Sequence, residues 1–108
     1  MDNLTENERA ALRKLKDALQ RAFPVVELRL FGSKARGDST PESDIDVLVV
    51  LEDYDWQVEK AVYGLCYDVG FEFGIFISAA LYSRREYASR LTRATPFYQN
   101  VAREGVAV

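Results

Sequence analysis

The 108-residue sequence contains no histidine and only one cysteine, Cys66. The missing histidine excludes zinc sites built on imidazole and catalytic triads that need a histidine base. A single cysteine excludes an internal disulfide, and the apolar neighbours of Cys66 predict an ordinary buried thiol in a reducing compartment. No apolar run approaches the roughly 18 residues of a membrane span, and signal-peptide and lipidation patterns are missing. We therefore expect a soluble, cytoplasmic protein with no membrane partner.

Positive charge is not in excess. The chain has 14 Lys and Arg residues against 17 Asp and Glu residues, a formal net charge of −3. A general basic footprint for nucleic acid is therefore lacking, and we expect no direct nucleic-acid binding. Hydrophobic residues make up 48% of the chain and aromatic residues 12%, which is enough for one core. The length predicts a single domain over residues 1–108.

Hydrophobic periodicity and turn signals predict alternating helices and strands. A capping box at Thr5 and Glu8 begins a helix over about 5–22. Alternation predicts a half-buried strand around 26–30, and an apolar run predicts a buried strand over about 44–51. The later elements are a helix over about 55–70, a strand over 73–81, a short helix from Ser83 to about Leu91, a helix from Pro96 to Gly105 and an extended tail over 106–108. This order predicts an α/β (α+β) fold with a mixed three-stranded sheet and helices packed mainly on one face.

The most informative stretch joins a small-residue turn to two aspartates. Asp44 and Asp46 open the buried strand two residues apart, so both carboxylates project from the same face. At a separation of about 4 Å they would repel by roughly 4 kcal/mol at an effective dielectric of 20. Mg²⁺ shared with nucleotide phosphates would compensate both charges, and we predict both aspartates as metal ligands. The alternative, a strand-entry cap or Asx-turn, explains one aspartate and leaves the second, inside a buried strand, without an explanation.

The segment from Phe31 to Val50 resembles the signature of the DNA polymerase beta-type nucleotidyltransferase superfamily. In that signature Gly-Ser is followed by ten residues and then by Asp-x-Asp, and Gly32-Ser33, residues 34–43 and Asp44-Ile45-Asp46 have this spacing. The short chain is similar to the minimal nucleotidyltransferases, and the stretch over 96–106 also resembles small bacterial members. The resemblance implies a nucleotidyltransferase fold, Mg²⁺ as cofactor and ATP as substrate. It further implies an antitoxin that transfers AMP to a hydroxyl, most simply a tyrosine, of a helical HEPN-type ribonuclease toxin.

Four loop residues are candidates for nucleotide binding. Gly32 lacks the Cβ that would obstruct a triphosphate, and the Ser33 hydroxyl can donate to phosphate oxygens. A Gly-Ser pair alone would be an ordinary turn, whereas its spacing to the aspartates favours the phosphate role that the resemblance implies. Lys34 and Arg36 are either solvated loop charges or cations that neutralise the triphosphate, with Arg36 suited to bidentate contact.

The resemblance also implies a third carboxylate, on the following strand, that takes the proton of the attacking hydroxyl. Phe76 stands where this acid is expected. Glu72 could supply it if the strand is shifted or bent, or Glu72 could be a solvent-facing charge at a helix end, and Asp68 is a poorer candidate. We predict Glu72 as the third acid, beside the two aspartates. Without such a base, transfer would be slower by about 10²–10⁴-fold.

Two other functions stay open. A catalytically degenerate module of the same fold could neutralise its partner by binding alone, which is consistent with Phe76 in place of an acid. Nucleotidylation of a small molecule such as an aminoglycoside would need a substrate-binding domain or a dimer. The aromatic side chains predict mainly core packing, with some on a partner surface, in a homo- or hetero-oligomer.

Overall fold

The computed structural model describes residues 3–40 and 43–108, and Pro41 and Glu42 of the loop lie outside the described residues. Helices and strands alternate along most of the chain. They are α1 (Glu6–Ala22), β1 (Val25–Phe31), α2 (Ser33–Arg36), β2 (Ile45–Leu51), α3 (Trp56–Phe73), β3 (Ile77–Ser83), α4 (Arg84–Ala88), α5 (Arg90–Arg93), α6 (Pro96–Glu104) and β4 (Val106–Ala107). Within the described part of the chain, no helix is long and apolar enough to span a membrane.

The four strands form one mixed sheet in the order β3-β2-β1-β4. β1 pairs antiparallel with β2 and with β4, whereas β2 and β3 run parallel. The predicted fold class is confirmed, but the sheet has four strands instead of three. The additional strand comes from the C-terminal tail, because Val106 and Ala107 pair with Leu30 and Arg29 of β1.

The two long helices pack together on one face of the sheet. α1 begins with the predicted capping box, in which Thr5 Oγ1 accepts from the Glu8 amide and the Glu8 carboxylate accepts from the Thr5 amide. Its apolar stripe is fully buried against β1, β2 and α3, as helical periodicity requires. The buried core on this face consists of Leu4, Ala11, Leu12, Leu15, Leu19, Leu28, Leu30, Ile45, Val47, Val49, Leu51, Val62, Cys66, Val69 and Leu81.

β2 is the central strand and is covered on both faces. Its other face carries Leu48 and Val50, which pack with Val101 of α6. Aromatic side chains extend this second cluster, with the rings of Phe31 and Phe97 in an edge-to-face contact at 5.3 Å. The smaller C-terminal helix α6 therefore lies on the face opposite the two long helices. The aspartates of β2 belong to this face, because residues 46, 48 and 50 share one side of the strand.

The third strand begins later than the sequence predicted. The helix α3 continues to Phe73, and Gly74 ends it in the left-handed conformation with φ 68°. Phe73 is therefore helical, and Phe76 lies in the connection before β3. The connection between α3 and β3 also packs closely against the helix, since a Cβ on Gly70 would lie 2.6 Å from the carbonyl oxygen of Ile75. The short helix predicted from Ser83 is divided at Ser89 into α4 and α5.

Candidate active site

The Gly32-Ser33 turn lies against the first residues of β2. Phe31, the last residue of β1, pairs with Asp46 across the antiparallel ladder, and α2 begins at Ser33. Gly32 has φ 76° and ψ −158°, a region of backbone space that is almost restricted to glycine. A Cβ at this position would overlap Asp46 Oδ2 and lie 3.2 Å from Asp46 Cγ. Only glycine lets the turn approach the carboxylate this closely.

Asp44 and Asp46 lie together at the start of β2. Asp44 precedes the strand and is exposed, whereas Asp46 is the second strand residue and is half-buried. Their two-residue spacing directs both side chains to the face occupied by Leu48 and Val50. The structure therefore brings both predicted carboxylates next to the Gly32-Ser33 turn.

The Asp46 carboxylate lacks full compensation for its charge. Burial raises the pKa of this carboxyl and the nearby charge of Asp44 raises it further, while the Arg36 guanidinium acts in the opposite direction. Within residues 3–40 and 43–108, no group donates a hydrogen bond to the Asp46 carboxylate. A half-buried carboxylate beside a second carboxylate is unfavourable without a counter-charge.

A hard divalent cation fits this pair of residues. Mg²⁺ prefers oxygen ligands and is commonly held by one or two carboxylates together with the phosphates of a substrate. Asp44 and Asp46 supply such oxygens, and Gly32 leaves open backbone beside them. No group of three or more Asp, Glu, His or Cys side chains that could hold a metal lies within the described ranges. The protein would therefore contribute two carboxylates, and water or a bound nucleotide would complete the coordination.

Lys34 does not belong to this site. It is 4% exposed, and its Nζ lies 2.7 Å from Oε2 of Glu8 and 3.2 Å from the carbonyl oxygen of Thr40, to which it donates. Burial alone would raise the pKa of Glu8, but the contacts with Lys34 and Thr5 lower it below its ordinary value. The ammonium group that the sequence suggested for nucleotide binding thus connects α2 to α1 instead.

Arg36 remains close to the aspartates. Its Nε donates to Asp38 Oδ2 and its Nη1 to Glu104 Oε1, both at 3.1 Å, so it connects the loop to α6. Its charge still acts on Asp46. Arg36 and its partner Asp38 are exposed, whereas the side chain of Glu104 is largely buried, so a phosphate could compete for the guanidinium donors on the exposed side.

The structure does not bring Glu72 to the aspartates. Glu72 lies near the end of α3 and accepts from Lys14 Nζ of α1 at 2.6 Å and 2.8 Å, in an exposed ion pair. Both helices belong to the layer on the opposite face of the sheet, and the exposed Asp68 lies on the same helix. The prediction of Glu72 as third acid therefore has no support in the geometry, because α3 extends further than expected and β3 starts at Ile77.

Ser78 is the residue that the sequence reasoning missed. It is directly opposite Asp46 in the parallel pairing of β2 with β3, and its Oγ donates to Asp44 Oδ2 at 3.2 Å. Phe76, which the sequence predicts at this position, lies before the strand and is 77% exposed. Finding Ser78 requires the register of β3 on β2, which periodicity alone does not give.

An apolar groove of about 790 Å³ runs between α3 and the free edge of β3, and one end of it reaches Ser78. Tyr67 and Phe71 stack on its helical side and are 72% and 79% exposed. Burial raises the pKa of the Cys66 thiol at its base to about 11, so this cysteine is protonated at neutral pH, as its apolar neighbours predicted.

A mixed sheet that presents two aspartates against a Gly-Ser turn defines a nucleotidyl-transfer type of site. The family model for the nucleotidyltransferase domain matches residues 12–88. A relative from Methanocaldococcus jannaschii, "Putative protein adenylyltransferase MJ0604", is 33% identical over 102 residues, which cover 92% of this chain and 95% of the relative. The chain therefore belongs to the nucleotidyltransferase domain family and is a nucleotidyltransferase, which confirms the family predicted from the motif.

Solved structures agree with this assignment. A structure described as a "putative minimal nucleotidyltransferase" has a TM-score of 0.63 and 28% identity, and the match covers 93% of this chain and 91% of that one. A mutant of the toxin-antitoxin pair MntA-HpeT has a TM-score of 0.62 and 25% identity, with 96% of this chain and 72% of that chain covered. The described fold is thus the fold of minimal nucleotidyltransferases.

Proposed function

We propose that the protein transfers AMP from ATP to a hydroxyl group of a partner toxin and so acts as an antitoxin. The observation that carries the proposal is the contact between Gly32 and the carboxylate of Asp46, with Asp44 on the same face. This arrangement holds two carboxylates beside a backbone segment with no side chain to obstruct a phosphate. When bound, Mg²⁺ would neutralise charge on the phosphates and stabilise the charge that develops at the α-phosphorus.

The residues around the aspartates suit a triphosphate. Gly32 allows close approach of the backbone, and the Ser33 hydroxyl is available to donate to a phosphate oxygen. Arg36 supplies a guanidinium whose charge already acts on Asp46. We infer ATP as the nucleotide because the relative described above is named an adenylyltransferase.

The proposed reaction has a simple balance. An acceptor oxygen forms a bond to the α-phosphorus of ATP, the bond from that phosphorus to the bridging oxygen breaks, and pyrophosphate leaves with the electron pair. The proton of the acceptor hydroxyl passes to water, because no third acid lies near Asp44 and Asp46 in the described residues. We therefore expect slow transfer, since an absent general base typically lowers the rate by about 10²–10⁴-fold.

A structural neighbour and the sequence motif both support a toxin as the partner. The structural neighbour MntA-HpeT is a toxin-antitoxin pair, and the sequence motif resembles antitoxins that act on helical HEPN ribonucleases. We propose a tyrosine of such a toxin as the acceptor, in a hetero-oligomer assembled in the cytoplasm, where ATP is available. The acidic net charge of −3 argues against a nucleic-acid acceptor.

One observation favours a second function. Ser78 occupies the position opposite Asp46 where a third carboxylate would stand. A nucleotidyltransferase fold without that acid could neutralise its toxin by contact alone, with nucleotide binding but no transfer. The acceptor assay distinguishes the two functions because contact leaves the toxin unmodified.

The test uses ATP labelled at the α-phosphate, Mg²⁺, and a helical toxin encoded beside this protein. We expect label on the toxin with the wild-type protein and no label with the double variant Asp44→Asn/Asp46→Asn. Glu72→Gln is the matched control, because it removes an acid that lies away from the site, and it should label as the wild type does. A stable complex without label would establish neutralisation by binding, and labelling by the double variant would refute the aspartate site.

A further inference from the structure

The hydroxyl of Ser78 makes a contact that the proposed reaction does not use. Ser78 Oγ donates to Asp44 Oδ2 at 3.2 Å, although both residues are exposed and water could serve either group. The hydrogen bond leaves Asp44 Oδ1 and the remaining lone pairs of Oδ2 without a protein partner in the described residues. The carboxylate is therefore held at one oxygen and open at the other.

The backbone fixes the geometry of this contact. The Ile45 amide donates to the carbonyl oxygen of Phe76 at 2.9 Å, which ties the residue after Asp44 to the start of β3. From there the parallel register places Ser78 opposite Asp46. Ser78 and Asp46 thus share one face of two adjacent, hydrogen-bonded strands, and Asp44 lies directly before β2 within hydrogen-bond distance of Ser78.

Without this hydrogen bond, the exposed Asp44 carboxylate would rotate freely and turn away from Asp46, because like charges repel. A hydroxyl donor on the neighbouring strand opposes that rotation. It holds Asp44 on the side of Asp46 while adding no negative charge of its own, unlike a third carboxylate. Groups that orient a metal-binding carboxylate in this way typically change the metal affinity about 10–100-fold when they are removed.

We propose that Ser78 is a positioning residue that orients the carboxylate of Asp44 toward Asp46, so that their free oxygens converge on one divalent cation. The inference rests on the cation site of the proposed function and deepens it. Ser78 itself contributes no ligand and takes no proton. Its hydroxyl acts through Asp44 alone.

The test is the affinity of the full-length protein for Mn²⁺, measured from the paramagnetic resonance signal of the free ion. Ser78→Ala should weaken binding about tenfold. Ser78→Thr keeps a hydroxyl on a strand position that tolerates β-branching, and should retain most of the affinity. Phe76→Ala truncates an exposed side chain that lies two residues before Ser78, outside β3, and should bind as the wild type does. Urea unfolding without metal should be nearly the same for Ser78→Ala and Ser78→Thr, which separates orientation from folding.

Two results would overturn the inference alone: equal Mn²⁺ affinity for Ser78→Ala and the wild type, or a loss in Ser78→Thr as large as in Ser78→Ala. A third result would overturn the proposed cation site as well. If Asp46→Asn bound Mn²⁺ as tightly as the wild type, the cation site of the proposed function would be wrong, and the role of Ser78 would be wrong with it.

Discussion

Replacing Gly32 by alanine should separate the stability of the fold from the geometry of the site. The backbone at Gly32 lies in a region that non-glycine residues adopt at a cost of about 1–3 kcal/mol. The new Cβ would also overlap Asp46 Oδ2 and lie 3.2 Å from Asp46 Cγ. The end of an aspartate side chain moves easily, so the overlap is relieved by rotation of Asp46 and adds little to the loss of stability. The displaced carboxylate no longer faces Asp44.

Gly74→Ala provides a matched control. Gly74 also has a positive φ, 68°, and a left-handed conformation costs an alanine about 1–2 kcal/mol. A Cβ on Gly74 meets no atom within 4 Å, so this variant carries backbone strain without any collision. Both variants should therefore lose about 1–3 kcal/mol in the free energy of unfolding, measured in urea.

Nucleotide binding should distinguish the two glycine variants. Titration calorimetry with Mg²⁺ and a non-hydrolysable ATP analogue should show at least about a tenfold loss of affinity for Gly32→Ala, as expected when a metal-binding carboxylate is misplaced. Gly74→Ala should bind as the wild type does. Equal nucleotide affinity of the two variants would refute the reasoning, because it would mean that the contact between Gly32 and Asp46 does not shape the site.

Further predictions concern individual charges. The pKa of Asp46 is raised above its ordinary value of 3.8, so the folded state binds this proton more tightly than the unfolded chain. The protonated Asp46 carboxyl therefore contributes its full stabilisation of the metal-free protein below pH 3.8, and this stabilisation is lost as the pH rises through the raised pKa. At pH 7, Asp46→Asn should unfold at a higher urea concentration than the wild type. Added Mg²⁺ should make the wild type the more stable of the two. Lys34→Met should lower the free energy of unfolding by about 3–5 kcal/mol because it leaves the Glu8 carboxylate buried without its cationic partner. The double variant Glu8→Gln/Lys34→Met should recover most of this loss. A loss of less than about 1 kcal/mol for Lys34→Met would contradict a buried ion pair. Ser78→Asp should tighten Mn²⁺ binding in resonance titrations and lower metal-free stability, because it adds a third carboxylate beside the pair. An Mn²⁺ affinity no higher than that of the wild type would contradict a cation site at the two aspartates. Glu72→Gln should change stability by less than about 1 kcal/mol in urea, since exposed ion pairs contribute little.

Local signals in the sequence were sufficient for most of the fold. The capping box at Thr5 and Glu8 placed the start of α1 within one residue, because the cap is a contact between near neighbours. The apolar run from Ile45 to Leu51 identified the central strand, since a strand that is covered on both faces needs apolar side chains at nearly every position. The spacing from Gly32 to Asp46 predicted a turn beside the carboxylates, and the structure has Gly32 against Asp46.

Contacts between distant parts of the chain account for the rest. The aromatic and apolar residues around Phe73 suit either a helix or a strand, and the left-handed Gly74 decides where α3 ends. β4 exists only because β1 offers an edge to the tail. The position of Ser78 beside the aspartates depends on the register of β3 on β2. The ion pair of Lys34 depends on a contact with Glu8, which belongs to another helix.

The most direct test of the account compares ATP labelled at the α-phosphate with ATP labelled at the γ-phosphate, in the presence of Mg²⁺ and the proposed toxin partner. We predict that only the α-label reaches the toxin, that the label is recovered on a tyrosine, and that Asp44→Asn/Asp46→Asn abolishes it. Transfer of the γ-label, or α-labelling that survives loss of both aspartates, would contradict a nucleotidyl transfer carried out at this pair.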